Sequence, residues 1–289
     1  MHFLRQMTRS IDSFQEVPIK KGQFQSLAHP KENVELVKDY LRNSIVTPEA
    51  TKELLQYIED AFFRLLMTLE IIPDGVAGDS LLELGSNPYF MTLLVKRFRD
   101  YNLSLANYFE TDEKQITQVI ENATYGEHHI FESKLFNIEK DRFPYTTRTF
   151  SVVLFCEIIE HLREDPLRPL GEIHRVLKPS GPLIMTTPNV CRASNLEKLA
   201  RGMNIYDPYS RHGIYGRHNR EYTIQEIREL LAGTGFVVEK LFTKYVHFQE
   251  PDENWWDINS KDDGRGDYIF VQARRASEFR PYRPSWLFR

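Results

Sequence analysis

Glu157, Glu160 and His161 fall in the stretch CEIIEHL, directly after the apolar run Val152 to Phe155. If a helix begins after Cys156, positions i, i+3 and i+4 share a face, and two carboxylates with an imidazole can bind a divalent metal ion. His218, in the segment GRHNREYT, is the candidate fourth ligand, and His212 is a less favoured one. Two other readings of His161 stay open. It is a general base for an attacking hydroxyl, or these groups simply form a polar pocket.

Such groups need a scaffold that aims them. A buried strand ending on ionisable residues delivers them to the carboxyl edge of an open α/β sheet, where such sheets bind ligands. Strand patterns fall at 80–84, 103–109, 134–138, 151–155, 182–186, 237–242 and 268–273. Helical patterns at 89–98, 166–177 and 223–231 alternate with them, which predicts βαβ units and a mostly parallel sheet. Ahead of the sheet, residues 1–75 read as an arm followed by a helical cap, with a short helix at 33–41. A longer helix starts at Pro48 with Thr47 as its N-cap. Residues 76–275 form the main domain, and 276–289 a basic, aromatic tail that reads as a surface strap.

In LLELGSNPYF a strand runs through Glu83 into Gly85 and then into a helix, so backbone N–H groups collect at the strand end and a ligand can approach Gly85 closely. The second strand pattern ends at Glu110, about 25 residues after Gly85, near the spacing at which dinucleotide folds place a ribose-binding carboxylate. The two together point to a nucleoside ligand.

The ordered set ELGSNPYF, the acid after LANYFE, FNIEKDRFPY, FSVVLFCEIIEHL and HRVLKPSGPLIMTTPN resembles class I S-adenosylmethionine-dependent methyltransferases, in particular the ubiquinone-type and sugar or small-molecule enzymes. The resemblance spans about 80–242 and implies a Rossmann-like sheet of seven strands, six parallel and the last antiparallel, with helices on both faces. It assigns Glu83, Gly85, Ser86 and Asn87 to the cofactor loop and Glu110 to the ribose. Asn137 and Ile138 go to the adenine edge, and Cys156 and Glu157 to the methionine side. The chain departs from the family pattern where Asn87 and Tyr89 replace glycines, Asn137 replaces a common aspartate and Ser151 another. Asparagine tolerates positive φ, so Asn87 can stand in for glycine.

The expected reaction is methyl transfer from S-adenosylmethionine to an oxygen, ahead of a nitrogen, of a small sugar-containing or anionic molecule. His161 and Glu160 are the catalytic candidates, and a divalent metal on Glu157, Glu160, His161 and His218 is a candidate second cofactor. The ExxEH, TTPN and HNREYT segments also resemble the metal site of RNA 3′-terminal 2′-O-methyltransferases, which gives one alternative function. A non-catalytic nucleoside-binding protein, suggested by the missing glycines, is the other. An insertion at 190–221 carries five arginines interleaved with Tyr206, Tyr209 and Tyr215. It reads as a lid over an anionic or glycosylated substrate, or as a solvated loop.

Composition narrows the setting. A net charge of -4 argues against non-specific nucleic-acid binding, and no apolar run approaches a membrane span. Cys156 and Cys191 are the only cysteines, and MHFLRQMTRS lacks a signal-peptide core, so a reducing cytoplasm is expected. Oligomeric state is not encoded in any of these features.

Overall fold

A computed structural model describes residues 32–211, 213–247, 262 and 264–288. The arm at 1–30, His212 and the Trp255–Trp256 pair, which the sequence reads as anchoring a loop, lie outside the described residues. In chain order the elements are α1 (Val34–Arg42), α2 (Thr51–Ile71), β1 (Ser80–Leu84), α3 (Phe90–Phe98), β2 (Asn102–Asn107), β3 (Gln115–Asn122) and β4 (Glu127–Leu135). There follow β5 (Val152–Cys156), α4 (Leu167–Val176), β6 (Pro182–Pro188), α5 (Ala193–Ala200), α6 (Ile224–Gly233), β7 (Phe236–Lys244) and β8 (Tyr268–Arg275).

The strands form one sheet in the order β3-β4-β2-β1-β5-β6-β8-β7. From β4 to β6 the pairing is parallel, and β8 runs antiparallel between β6 and β7. The fold is thus the Rossmann-like α/β class, with eight strands rather than seven. The additional strand, β3, pairs antiparallel with β4 in a hairpin at the sheet edge. Its sequence, QITQVIEN, faces solvent at alternate positions, and so polar an edge strand lacks the apolar run that marks the buried ones.

Central strands bury both faces, and their side chains sort by parity. Leu81, Val152, Leu154 and Ile184 join one apolar cluster with α1, α2 and α3. Leu82, Leu84, Val153, Phe155, Leu183 and Met185 join the other, with α4 and α6. That alternation follows from the period of two along a strand. The tail adds to the second cluster: Phe279 lies against Gly171, and the Tyr282 ring rests on Gly233.

Several local expectations are corrected. Thr47 precedes a single 3-10 turn, Pro48–Ala50, and its side chain does not cap the helix, which begins at Thr51. β2 ends at Asn107, so Glu110 stands three residues past the strand, exposed, with φ 52. No α-helix follows Cys156. Glu157 takes φ 55 while its N–H still donates to the Thr186 carbonyl at 2.9 Å, and only the 3-10 turn Ile159–His161 comes after it. The left-handed non-glycine residue of the first loop is Tyr89, φ 70, not Asn87. Burial of the Tyr89 ring, stacked on Phe131 at 6.1 Å with its hydroxyl 3.1 Å from Ser133 Oγ, offsets a backbone cost of about 1 to 3 kcal/mol.

Candidate active site

Two adjoining cavities open at the carboxyl ends of β1, β2 and β5. The smaller, about 290 Å³, is lined by Phe136, Ile138, Ile158 and Leu162 with Asn107 and Asn137 among its polar groups. The larger, about 1020 Å³, reaches from Tyr57 and Arg64 of α2 to His218. Gly85, Asn87, Glu157 and His161 line both.

Gly85 makes the bend between β1 and the loop. Its φ is +69, and a Cβ there would lie 3.0 Å from Ile158 Cδ1, so a side chain at this position would press on the wall of the smaller cavity. Asn107 ties the loop down: its Oδ1 accepts from Asn87 N–H at 3.0 Å and its Nδ2 donates to Ser86 Oγ at 2.9 Å. Glu83 is buried beneath the loop, where burial pushes its carboxyl up to about 8 although Thr92 Oγ1 donates to it at 2.6 Å. Burial likewise pushes the Cys156 thiol up to about 12, leaving it an inert wall of the larger cavity.

Of the residues singled out in the sequence as cofactor-binding, Glu83, Gly85, Ser86, Asn87, Asn137, Ile138, Cys156 and Glu157 all line one cavity or the other. Glu110 lines neither and lies beside Gly213 of the insertion. Tyr108 and Phe109 occupy the edge of the smaller cavity instead. The Asn137 carbonyl oxygen already accepts from Glu139 N–H at 2.9 Å, and its amide donates to Tyr215 OH at 3.3 Å. Flat apolar walls, a tight glycine bend and amide groups fit an adenosine-bearing ligand.

Glu160, His161 and His218 converge: one ligand atom from each lies within 4.8 Å of the others. Glu160 is fully buried; Thr187 Oγ1 donates to its Oε2 at 3.0 Å, and its Oε1 has no hydrogen-bond partner. Burial first, and then the neighbouring Glu157 charge, hold the Glu160 carboxyl well above its ordinary range. His161 donates Nδ1–H to the Arg217 carbonyl at 2.9 Å, which leaves Nε2 unprotonated and 3.9 Å from Glu160 Oε1. Burial, and then the charge of His218, lower the His161 pKa. Burial also works against a charge on His218, but Glu221 at 2.9 Å from its Nδ1, with Asp207, raises it on balance. Imidazoles whose Nδ1 atoms are engaged from behind present Nε2 forward, as metal-binding histidines do. An orphaned buried carboxylate oxygen beside two such rings fits a divalent ion. Glu157 is not part of that convergence; its Oε2 faces Arg64 Nε at 3.7 Å.

The insertion holds this arrangement in place. Asn219 and Arg220 N–H both donate to the Glu160 carbonyl, at 2.7 and 3.1 Å, and Asn219 Nδ2 donates to that of His161. Tyr215 joins the smaller cavity and His218 the larger, while Tyr206 and Tyr209 are exposed at 82% and 90%. Three of its arginines pair with acids nearby, Arg192 with Glu221, Arg201 with Glu197 and Arg220 with Glu226.

A family model described as a methyltransferase domain matches residues 53–241, more than half of the chain. The chain belongs to this methyltransferase family. The enzyme is therefore an S-adenosylmethionine-dependent methyltransferase, and its two cavities lie at the carboxyl ends of the strands, where open α/β sheets bind ligands. No curated protein sequence matches it significantly. Among solved structures, the complex of the Haloferax volcanii Trm112 methyltransferase activator with a methyltransferase is similar at 13% identity. The match covers 85% of this chain and 99% of that one, TM-score 0.50. An S-adenosylmethionine-dependent methyltransferase from Thermotoga maritima is 16% identical over 78% and 97% of the two chains, TM-score 0.47. A Bacillus halodurans methyltransferase is 16% identical over 74% and 99%, TM-score 0.45. Among the described residues, no helix of the methyltransferase is long and apolar enough to cross a membrane.

Arg64 is the site residue the sequence reading missed. Its signal was present: one arginine inside the run FFRLLM, where every neighbour is apolar and an unpartnered charge would be costly to bury.

Proposed function

We propose that the enzyme methylates a hydroxyl oxygen of a small sugar-containing or anionic acceptor seated in the larger cavity. The observation that carries this reading is the convergence of Glu160, His161 and His218 on the wall of that cavity. A sulfonium methyl is transferred by in-line displacement, so the protein chiefly aligns donor and acceptor. A neutral hydroxyl is a weak nucleophile and must lose its proton as the bond forms. The unprotonated Nε2 of His161, held in place by the Arg217 carbonyl, is positioned to take that proton. Alternatively, Glu160 Oε1, His218 and that same Nε2 of His161 would hold a divalent ion, in which case His161 is a ligand rather than the base and the ion would supply Lewis-acid stabilisation of the developing oxyanion. An amine acceptor would need neither.

The same cluster supports a second reading, 2′-O-methylation of an RNA 3′ end, against which stands the net charge of -4. Methyl transfer from labelled S-adenosylmethionine to a panel of uronic acids, glycosides, amines and a short RNA, each with and without chelator, separates the readings. Chelator-sensitive labelling of a glycoside or uronic acid oxygen is expected. Labelling confined to amines or to RNA would overturn the reading.

A further inference from the structure

Tyr215 belongs to the 3-10 turn Ile214–Gly216 of the insertion and faces two ways along the chain. Its ring helps to line the smaller cavity. There it meets Tyr108 edge to face, ring centroids 5.6 Å apart, and its hydroxyl accepts from Asn137 Nδ2 at 3.3 Å. The five residues that follow it carry groups of the acceptor side. The Arg217 carbonyl accepts from His161 Nδ1, His218 completes the cluster with Glu160 and His161, and the Asn219 and Arg220 N–H groups hold the Glu160 carbonyl. Asn219 ties the two sides together, because its Nδ2 donates both to the Ile214 carbonyl at 3.0 Å and to that of His161 at 2.9 Å. Among the described residues from 201 to 221 none is buried, so polar bonds and ring contacts, rather than a core, hold this segment down. Segments held that way open locally at small free-energy cost.

We propose that Tyr215 is a positioning residue that passes donor binding on to the chemistry: a nucleoside in the smaller cavity fixes its ring, and the ring fixes the segment that carries His218. The inference rests on the smaller cavity receiving the donor's nucleoside and goes beyond that reading. A ligand shifts a two-state segment only through contacts that differ between the two states. Tyr215 supplies such a contact, because its ring walls the cavity only while the segment lies against Tyr108 and Asn137. Through Asn219 the docked turn also fixes the Glu160 carbonyl and His161. The donor thus completes the acceptor side, which favours binding of the donor first.

Hydrogen exchange at the Asn219 and Arg220 amides, read by mass spectrometry of overlapping peptides, tests the coupling. Neither residue lines either cavity, so slower exchange there reports the docked segment and not contact with the ligand. Saturating S-adenosylhomocysteine is expected to slow both amides about tenfold. Saturating 5′-methylthioadenosine, which keeps the nucleoside and lacks the amino-acid end, is expected to do the same. Tyr215→Ala, saturated with S-adenosylhomocysteine, is expected to lose the slowing, and Tyr215→Phe, which keeps the ring, to retain most of it. Binding without slowing in the unaltered protein overturns the proposal and leaves the nucleoside site standing. Slowing that survives in Tyr215→Ala, even against a faster baseline, marks a merely structural role and overturns it as well. If calorimetry finds that the unaltered protein binds neither ligand, the nucleoside reading itself fails and the proposal falls with it, a result distinct from the other two.

Discussion

His161 and His218 meet edge to face, ring centroids 5.0 Å apart and planes at 76°, although 56 residues separate them. Behind each ring an acceptor engages Nδ1: the Arg217 carbonyl for His161 and the Glu221 carboxylate for His218. Their free edges turn toward Glu160, so two segments distant in sequence, the 3-10 turn Ile159–His161 and the insertion, present one set of donor atoms.

If that set holds an ion, His218→Ala is expected to abolish stoichiometric metal binding and lower methyl transfer to a hydroxyl acceptor by about 100-fold or more. Glu221→Gln, which keeps the shape and removes the charge behind His218, is expected to weaken metal affinity about 10- to 100-fold, with activity restored by excess ion. Metal analysis by mass spectrometry alongside turnover checks both. Full activity of the chelated enzyme would refute the ion.

Glu83 makes stability depend on pH. Its folded-state carboxyl, at about 8 against an ordinary 4.5, keeps its proton where the unfolded chain has lost it, so stability falls as pH rises through that window. The slope is about 1.4 kcal/mol per pH unit, flattening above the folded-state value. Glu83→Gln is expected to remove most of that slope: the variant gains on the parent at pH 8 and not at pH 4.5. Urea unfolding at several pH values measures it, and parallel curves would contradict the prediction.

Gly85→Ala is expected to cost about 1 to 2 kcal/mol of stability from its left-handed backbone, and to weaken S-adenosylhomocysteine binding as the new methyl meets Ile158. Trimming the neighbour in Gly85→Ala, Ile158→Val should recover ligand affinity more than stability, because the backbone term remains. Calorimetry paired with thermal melts distinguishes the two effects.

The C-terminal strap is expected to act on stability alone. Trp286 Nε1 donates to Glu229 Oε2 at 2.9 Å, and Tyr282 OH donates to Glu229 Oε1, both on α6. Trp286→Ala should cost about 1 to 3 kcal/mol and leave the KM for the donor unchanged. A shifted KM with an unshifted urea midpoint would mark a binding arm instead.

The α/β class, the central strands and the loop at Gly85 are legible in the amino-acid order, because buried strands and glycine bends leave local, periodic signals. Nearly every residue it marked for the cofactor or the chemistry lines one of the two cavities, Glu110 excepted, since strand ends in such a sheet converge on one edge. Which ionisable groups meet emerges from the packing of distant segments. A helical face would have grouped Glu157 with Glu160 and His161. The left-handed backbone at Glu157 instead turns that carboxylate to Arg64, and the insertion brings His218 to the remaining two. Arg64 and β3 escaped for opposite reasons: one is a charge hidden in an apolar stripe, the other a strand too polar to announce itself. Spacing along a chain encodes local geometry, whereas contacts between distant segments depend on how two packed faces register against each other, and no window of sequence contains that information.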